Sequence, residues 1–168
     1  MVLQALWQAI EAWPLSQYIV TSDWLFPTLE SVHVIAITTV IGTIALMDLR
    51  LLGMVSTTTK VTEVSHDTLR WTWGAFGLAL VTGGLLFISK ATVYMVNPYF
   101  VWKMVLILLA GVNMGVFHVF TWPSVAGWDA STTPRPAKLA GALSLAFWLA
   151  VVFLGRMIGF TLDQFIAH

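Results

Sequence analysis

Four stretches of this sequence stay apolar for about 20 residues each, the length an α-helix needs to cross the hydrocarbon of a bilayer. They cover residues 27–52, 62–89, 101–122 and 138–166, the second entering through a polar lead-in from Thr62 and turning apolar at Trp71. Hydrocarbon offers no partner to a backbone amide, so each stretch must be helical. The expected fold is all-α: four transmembrane helices in a bundle, forming one membrane domain over residues 1–168. Composition agrees, since 58% of residues are hydrophobic and 10% charged, where a soluble domain carries about a quarter charged residues.

Composition also removes functions. Net charge is zero and no basic run is long enough to follow a phosphate backbone, so nucleic acid is excluded as a partner. Cysteine is absent, which removes disulfides, thiolate metal sites, iron–sulfur clusters and covalently attached haem. The sequence holds no nucleophile–histidine–carboxylate set, no phosphate-cradling glycine loop and no paired-histidine zinc helix, so no catalytic residue is assigned.

Residues 1–25 do not read as a signal peptide, because they lack a basic start and are interrupted by Gln4, Gln8 and Glu11. Leu3, Leu6, Trp7 and Ile10 recur at helical spacing, which predicts an amphipathic helix lying in the interface and ended near Pro14. Arg50, Lys60, Arg70, Arg135 and Lys138 flank the first and third loops, against Lys90 and Lys103 at the second. That bias puts both termini outside the cytoplasm.

Titratable residues inside apolar spans are the candidates for function. His33 falls in the outer half of the first span and His118 in the inner third of the third. His66 lies on the lead-in to the second, and His168 is the last residue. At 100° per residue His118 shares a face with Met114, Gly111 and Met104, with Gly115 close by. His66, Arg70, Trp73, Gly77 and Gly84 form a stripe on the second helix. Such glycines mark either close helix packing or the approach of something flat. A planar cofactor between helices points to haem b, gripped by imidazole nitrogen. Its propionates would need cations, for which Arg70, Arg156 and Lys103 are placed. The plainer readings pair Arg156 with Asp163 and Arg50 with Asp48, let Lys103 snorkel, and bond Asn113 across to another helix.

The strings "HVIAITTVIGTIALMDLRLLG", "WTWGAF", "TGGLLF", "NPYFVWKM" and "GVNMGVFH", within Phe26 to His118, resemble a family of small bacterial inner-membrane proteins of unknown function. The resemblance implies a four-helix protein of the bacterial inner membrane and places the family's polar pattern on His33, Asp48, Arg50, Asn97, Lys103, Asn113 and His118. It supplies no activity. Similarity to four-helix diheme b-type cytochromes is architectural only.

The expectation is a membrane-embedded b-type haem protein, with one or two haems per chain, that transfers electrons within or across the membrane. His33 and His118 lie too far apart in depth to share an iron, so two stacked haems are preferred to one. His66 is then the second ligand of the inner haem, and Met104 or His168 the partner of His33. The alternative is a cofactor-free scaffold or assembly subunit, or a small transporter. A quinone oxidoreductase is a third reading. Expected partners are the lipid bilayer, further copies of the chain (three preferred to two), and a redox protein or quinone.

Overall fold

A computed structural model describes residues 2–166, with side chains over 3–162, so His168 and the Asp163 side chain lie outside the described residues. Helix accounts for 86% of the chain, and the described residues contain no strand, so the fold is all-α. The four expected spans are α3 (Leu25–Leu52), α4 (Val61–Ser89), α6 (Pro98–Val116) and α7 (Arg135–Ile166). Each is long and apolar enough to cross a membrane. Helix α6 continues through a π-helical turn, Phe117–Thr121, into a 3-10 turn, Trp122–Gly127.

The N-terminal region differs from the single interfacial helix expected. It contains two helices, α1 (Val2–Glu11) and α2 (Pro14–Thr21). Pro14 begins the second helix as well as ending the first, because a proline at the first helical position loses no backbone bond. A further short helix, α5 (Ala91–Val96), sits between α4 and α6. Polar bonds fasten α1 and α2 to that end of the bundle. Thr92 donates its amide and hydroxyl to Glu11 Oε1 at 2.8 and 2.6 Å, and the buried Ser16 hydroxyl donates to the Ile88 carbonyl at 2.8 Å. Trp7, Phe87, Tyr94 and Phe100 stack around these bonds. Burial, helped by Glu30, pushes the Tyr94 phenol up to about 12. Asn97 is fully buried; its Oδ1 accepts the Tyr99 amide and caps α6, while its Nδ2 donates to Thr161 on α7.

The opposite end carries the α3–α4 loop. Gly53, at φ +79°, ends α3 with its amide on the Arg50 carbonyl and that of Met54 on Leu49, the paired closure a left-handed residue permits. Arg50 and Asp48 do not pair. Arg50 is buried and sends Nε and Nη2 to the Thr59 carbonyl at 2.9 and 2.7 Å, holding the loop against the helix. Leu51, Val61, Phe117, Trp128 and Ala137 form the apolar core here. Asp129, between the 3-10 turn and α7, accepts the Thr62 amide at 2.8 Å and the Thr62 hydroxyl at 2.7 Å. Lys60, the residue preceding α4, offers no side-chain cap, so Asp129 caps that helix from a distant loop.

Helix α3 packs on α4 and α7, and α6 packs on α7. Gly141 lets α7 approach the backbone of α3, since a Cβ there would lie 3.1 Å from the Asp48 carbonyl. The Asn113 amide donates to the Ala140 carbonyl at 2.9 Å, the interhelical bond expected of it. Helices α4 and α6 make little backbone contact: the Phe87–Phe100 stack joins them at one end, and a cavity separates them towards the other.

The Asp129 cap can be tested. Slight desolvation opposes ionisation, but the Thr62 bonds and nearby Lys60 hold the carboxyl below the usual carboxylate range. Its contribution is therefore present above the unfolded-chain value of about 3.9 and lost as pH falls through the lower folded value. Asp129→Ala should lower stability by about 1 kcal/mol, and Asp129→Asn, whose one carbonyl oxygen can still accept the Thr62 amide, by less. Thermal unfolding in mild detergent at neutral pH reads both; equal losses would show that the cap is unimportant.

Candidate functional site

Four helices converge on His33. From α3 its ring reaches α4, where the Thr82 hydroxyl donates to the Leu78 carbonyl at 2.8 Å. The remaining lone pair of that hydroxyl accepts the His33 Nδ1 proton at 2.9 Å. The Cε1 edge of the ring meets Gly83, where a Cβ would stand 2.9 Å from Cε1. Lys103 comes from α6 close enough to act electrostatically on the imidazole, and its Nζ lies 3.9 Å from the Cβ position of Gly155 on α7. Lys103 is half-buried and turned into the bundle rather than snorkelling. No carboxylate lies within ion-pair reach of it among the described residues. With Nδ1 occupied, Nε2 of His33 carries a lone pair that no hydrogen bond consumes among those residues.

His118 belongs to a different place. It sits in the π-helical turn, stacked on Trp122 with ring centroids 5.7 Å apart. Its Nδ1 donates to the Met114 carbonyl at 2.9 Å, which fixes the tautomer and leaves Nε2 as a free acceptor. The ring lines a cavity of about 260 Å³ between the four long helices, on the half nearer the α3–α4 loop. Asp48 lines the same cavity. Its side chain is 5% exposed, and Oδ2 has no hydrogen-bond partner. Ser144 on α7 lines the cavity as well.

The other expected site residues are scattered. His66 is 89% exposed beside Asp67, its Nδ1 3.6 Å from the carboxylate, and is not brought to His118. Arg70 is exposed and does not line the cavity. Arg156 is exposed with its guanidinium 4.5 Å from the Phe160 ring centre. Met104 is 48% exposed and also lies off the cavity. The described residues contain no cluster of three or more histidine and carboxylate side chains able to hold a bare metal ion. Among the glycines of the two stripes, Gly77, Gly84, Gly111 and Gly115 face open space rather than a packed helix.

Sequence reasoning missed Thr82, Gly83 and the unpaired state of Asp48. The signal for Asp48 was available: residues two apart on a helix point to different sides, so Asp48 and Arg50 could not meet.

The contrast between glycines gives a direct test of the His33 packing. Gly83→Ala should push the imidazole out of place and cost about 1–3 kcal/mol, as overfilled contacts do. Gly77→Ala, in open space, should be neutral or stabilising through helix propensity, by up to about 1 kcal/mol. Comparative thermal unfolding decides; equal effects would refute the close approach of His33 to α4.

No curated protein and no solved structure matches the chain. One family does, described as a family of unknown function (DUF6644), and its match runs over residues 17–161, well beyond Phe26 to His118. With most of its length so matched, including His33, Asp48, Lys103 and His118, the chain belongs to the family of unknown function DUF6644.

Proposed function

We propose that this multi-pass membrane protein carries a b-type haem at the level of His33 and passes electrons within or across the membrane. The observation that carries the reading is the His33 ring held by Thr82, with the half-buried Lys103 turned towards α7 and no carboxylate in ion-pair reach of it among the described residues. A charge at this depth is costly unless something anionic meets it. Haem offers what both side chains lack: iron for the free Nε2 of His33 and a propionate for Lys103. Thr82 fixes the His33 tautomer by accepting from Nδ1, the outer-shell contact that orients a ligating imidazole. Gly83 lets the ring sit close to α4, and the separation of α4 from α6 leaves a side through which a planar group could enter. Bound haem supplies reversible one-electron chemistry at iron, while this chain's residues orient it and balance its charge.

The proposal assigns one haem per chain rather than two. At the His118 cavity no second histidine lines the walls among the described residues. His66, exposed on α4, has no route to it. The charge bias of the loops supports both termini lying on the periplasmic side of a bacterial inner membrane. Open faces at Gly115 and Gly159 support a homo-oligomer, three copies preferred to two. Native mass spectrometry of the wild type and of Gly159→Leu reads this, and a wild-type monomer rules it out.

Detergent-purified protein, made with ample haem supply, should show a Soret band and a reduced α-band of b-type haem. Acid-acetone should extract the haem, since no cysteine tethers it. His33→Ala should remove the bands, Lys103→Gln should weaken haem retention, and His118→Ala should leave one haem per chain. Colourless wild-type protein would favour the cofactor-free scaffold, and loss of haem in His118→Ala alone would move the iron to the other level.

A further inference from the structure

The cavity at His118 is left unused by the haem reading, and its chemistry is specific. Its walls are aromatic, built by Trp73, Phe76, Trp122 and Trp148. The amide and hydroxyls of the lining are largely committed: Asn113 donates to Ala140, Thr68 to Val64, Thr72 to Thr43, and Thr43 to Thr39. Two strong groups remain. Asp48 Oδ2 is buried without a partner, and His118 Nε2 is free because Nδ1 is bound to Met114. An orphaned carboxyl oxygen in an apolar cavity costs free energy that a ligand can recover.

We infer that this cavity binds the ring of a lipid-soluble quinone or its quinol, with Asp48 and His118 as the groups that meet the ring oxygens. A flat ring of one or two fused cycles suits a volume near 260 Å³ with aromatic walls. A carboxyl group can accept a proton-bearing hydroxyl of the reduced ring, or donate to a carbonyl of the oxidised one. The imidazole Nε2 accepts from the reduced ring. A permanent organic cation fits less well, because it demands an ionised carboxylate, and an ion in this medium needs several donors where Asp48 Oδ2 has none. The gap between α4 and α6 gives a lipid-borne molecule a lateral way in. Binding requires no haem at the His33 level, so the two proposals stand or fall separately.

The test compares equilibrium binding of menadione and of its oxygen-free counterpart, methylnaphthalene, to the full chain in lipid nanodiscs. Menadione should bind at least about tenfold tighter, one good hydrogen bond's worth. Asp48→Leu, which keeps the bulk and removes the polar group, should collapse that preference while leaving methylnaphthalene affinity within about twofold. Gly111 lines the cavity, and a Cβ there meets nothing within 4 Å, so Gly111→Phe can fold and fill the space. It should weaken both ligands by tenfold or more. A preference unchanged by Asp48→Leu, affinities unchanged by Gly111→Phe, or tighter binding of tetraphenylphosphonium than of menadione would each overturn the assignment.

Discussion

Hydrocarbon supplies no hydrogen bonds, and most of this structure follows from that scarcity. Inside the spans nearly every hydroxyl turns back on its own helix: Thr28 to Trp24, Thr38 to Val34, Thr39 to Ile35, Thr68 to Val64 and Thr161 to Met157. This local bonding satisfies the donor and leaves a lone pair for a neighbour. Three of these hydroxyls then serve as acceptors between helices, Thr82 for His33, Thr43 for Thr72 and Thr161 for Asn97. A membrane protein with little net polarity is thus stitched at several depths without burying an unpaired donor.

Against that pattern two groups stand out because they break it. Asp48 keeps an oxygen without a partner, and Lys103 keeps a charge without a counter-charge among the described residues. Either could have been removed at a gain in stability, since replacing a buried polar group by an apolar one of similar shape is often neutral or better. Their positions are separate, at the two levels where His33 and His118 each hold one ring nitrogen in a bond and leave the other free.

The spans and the interhelical bond of Asn113 were legible in the sequence, because length and apolarity are properties of one helix at a time. The pairings were not. A helical wheel shows that Gly77 and Gly111 lie on histidine-bearing stripes, but not whether a helix or a void stands opposite; the structure shows open space at both. His66 shares its stripe with Trp73, yet its side chain meets solvent while its neighbours Ser65 and Thr68 line the cavity, so a shared stripe did not bring it to His118. Pro14 read as a terminator because helix breaking and helix starting look alike in a single proline, and only the geometry of Trp13 before it, extended at ψ 143°, distinguishes them. The π-helical turn at His118 left no local mark at all.

What keeps α4 and α6 apart is then a question about the ends rather than the middle. At one end α4 is tied to α2 through Ser16 and to α1 by contact, while Asn97 locks the start of α6 to α7. At the other, Asp129 grips the first turn of α4 from the segment that follows α6. Both helices are therefore anchored mainly to third parties, α4 to α3 and the N-terminal helices, α6 to α7, and the Phe87–Phe100 stack joins them directly at one end. Apolar side chains gain little by closing such a gap in lipid, because acyl chains solvate them as well as other side chains do. In water such a slot would collapse; hydrocarbon on its open side removes most of that force.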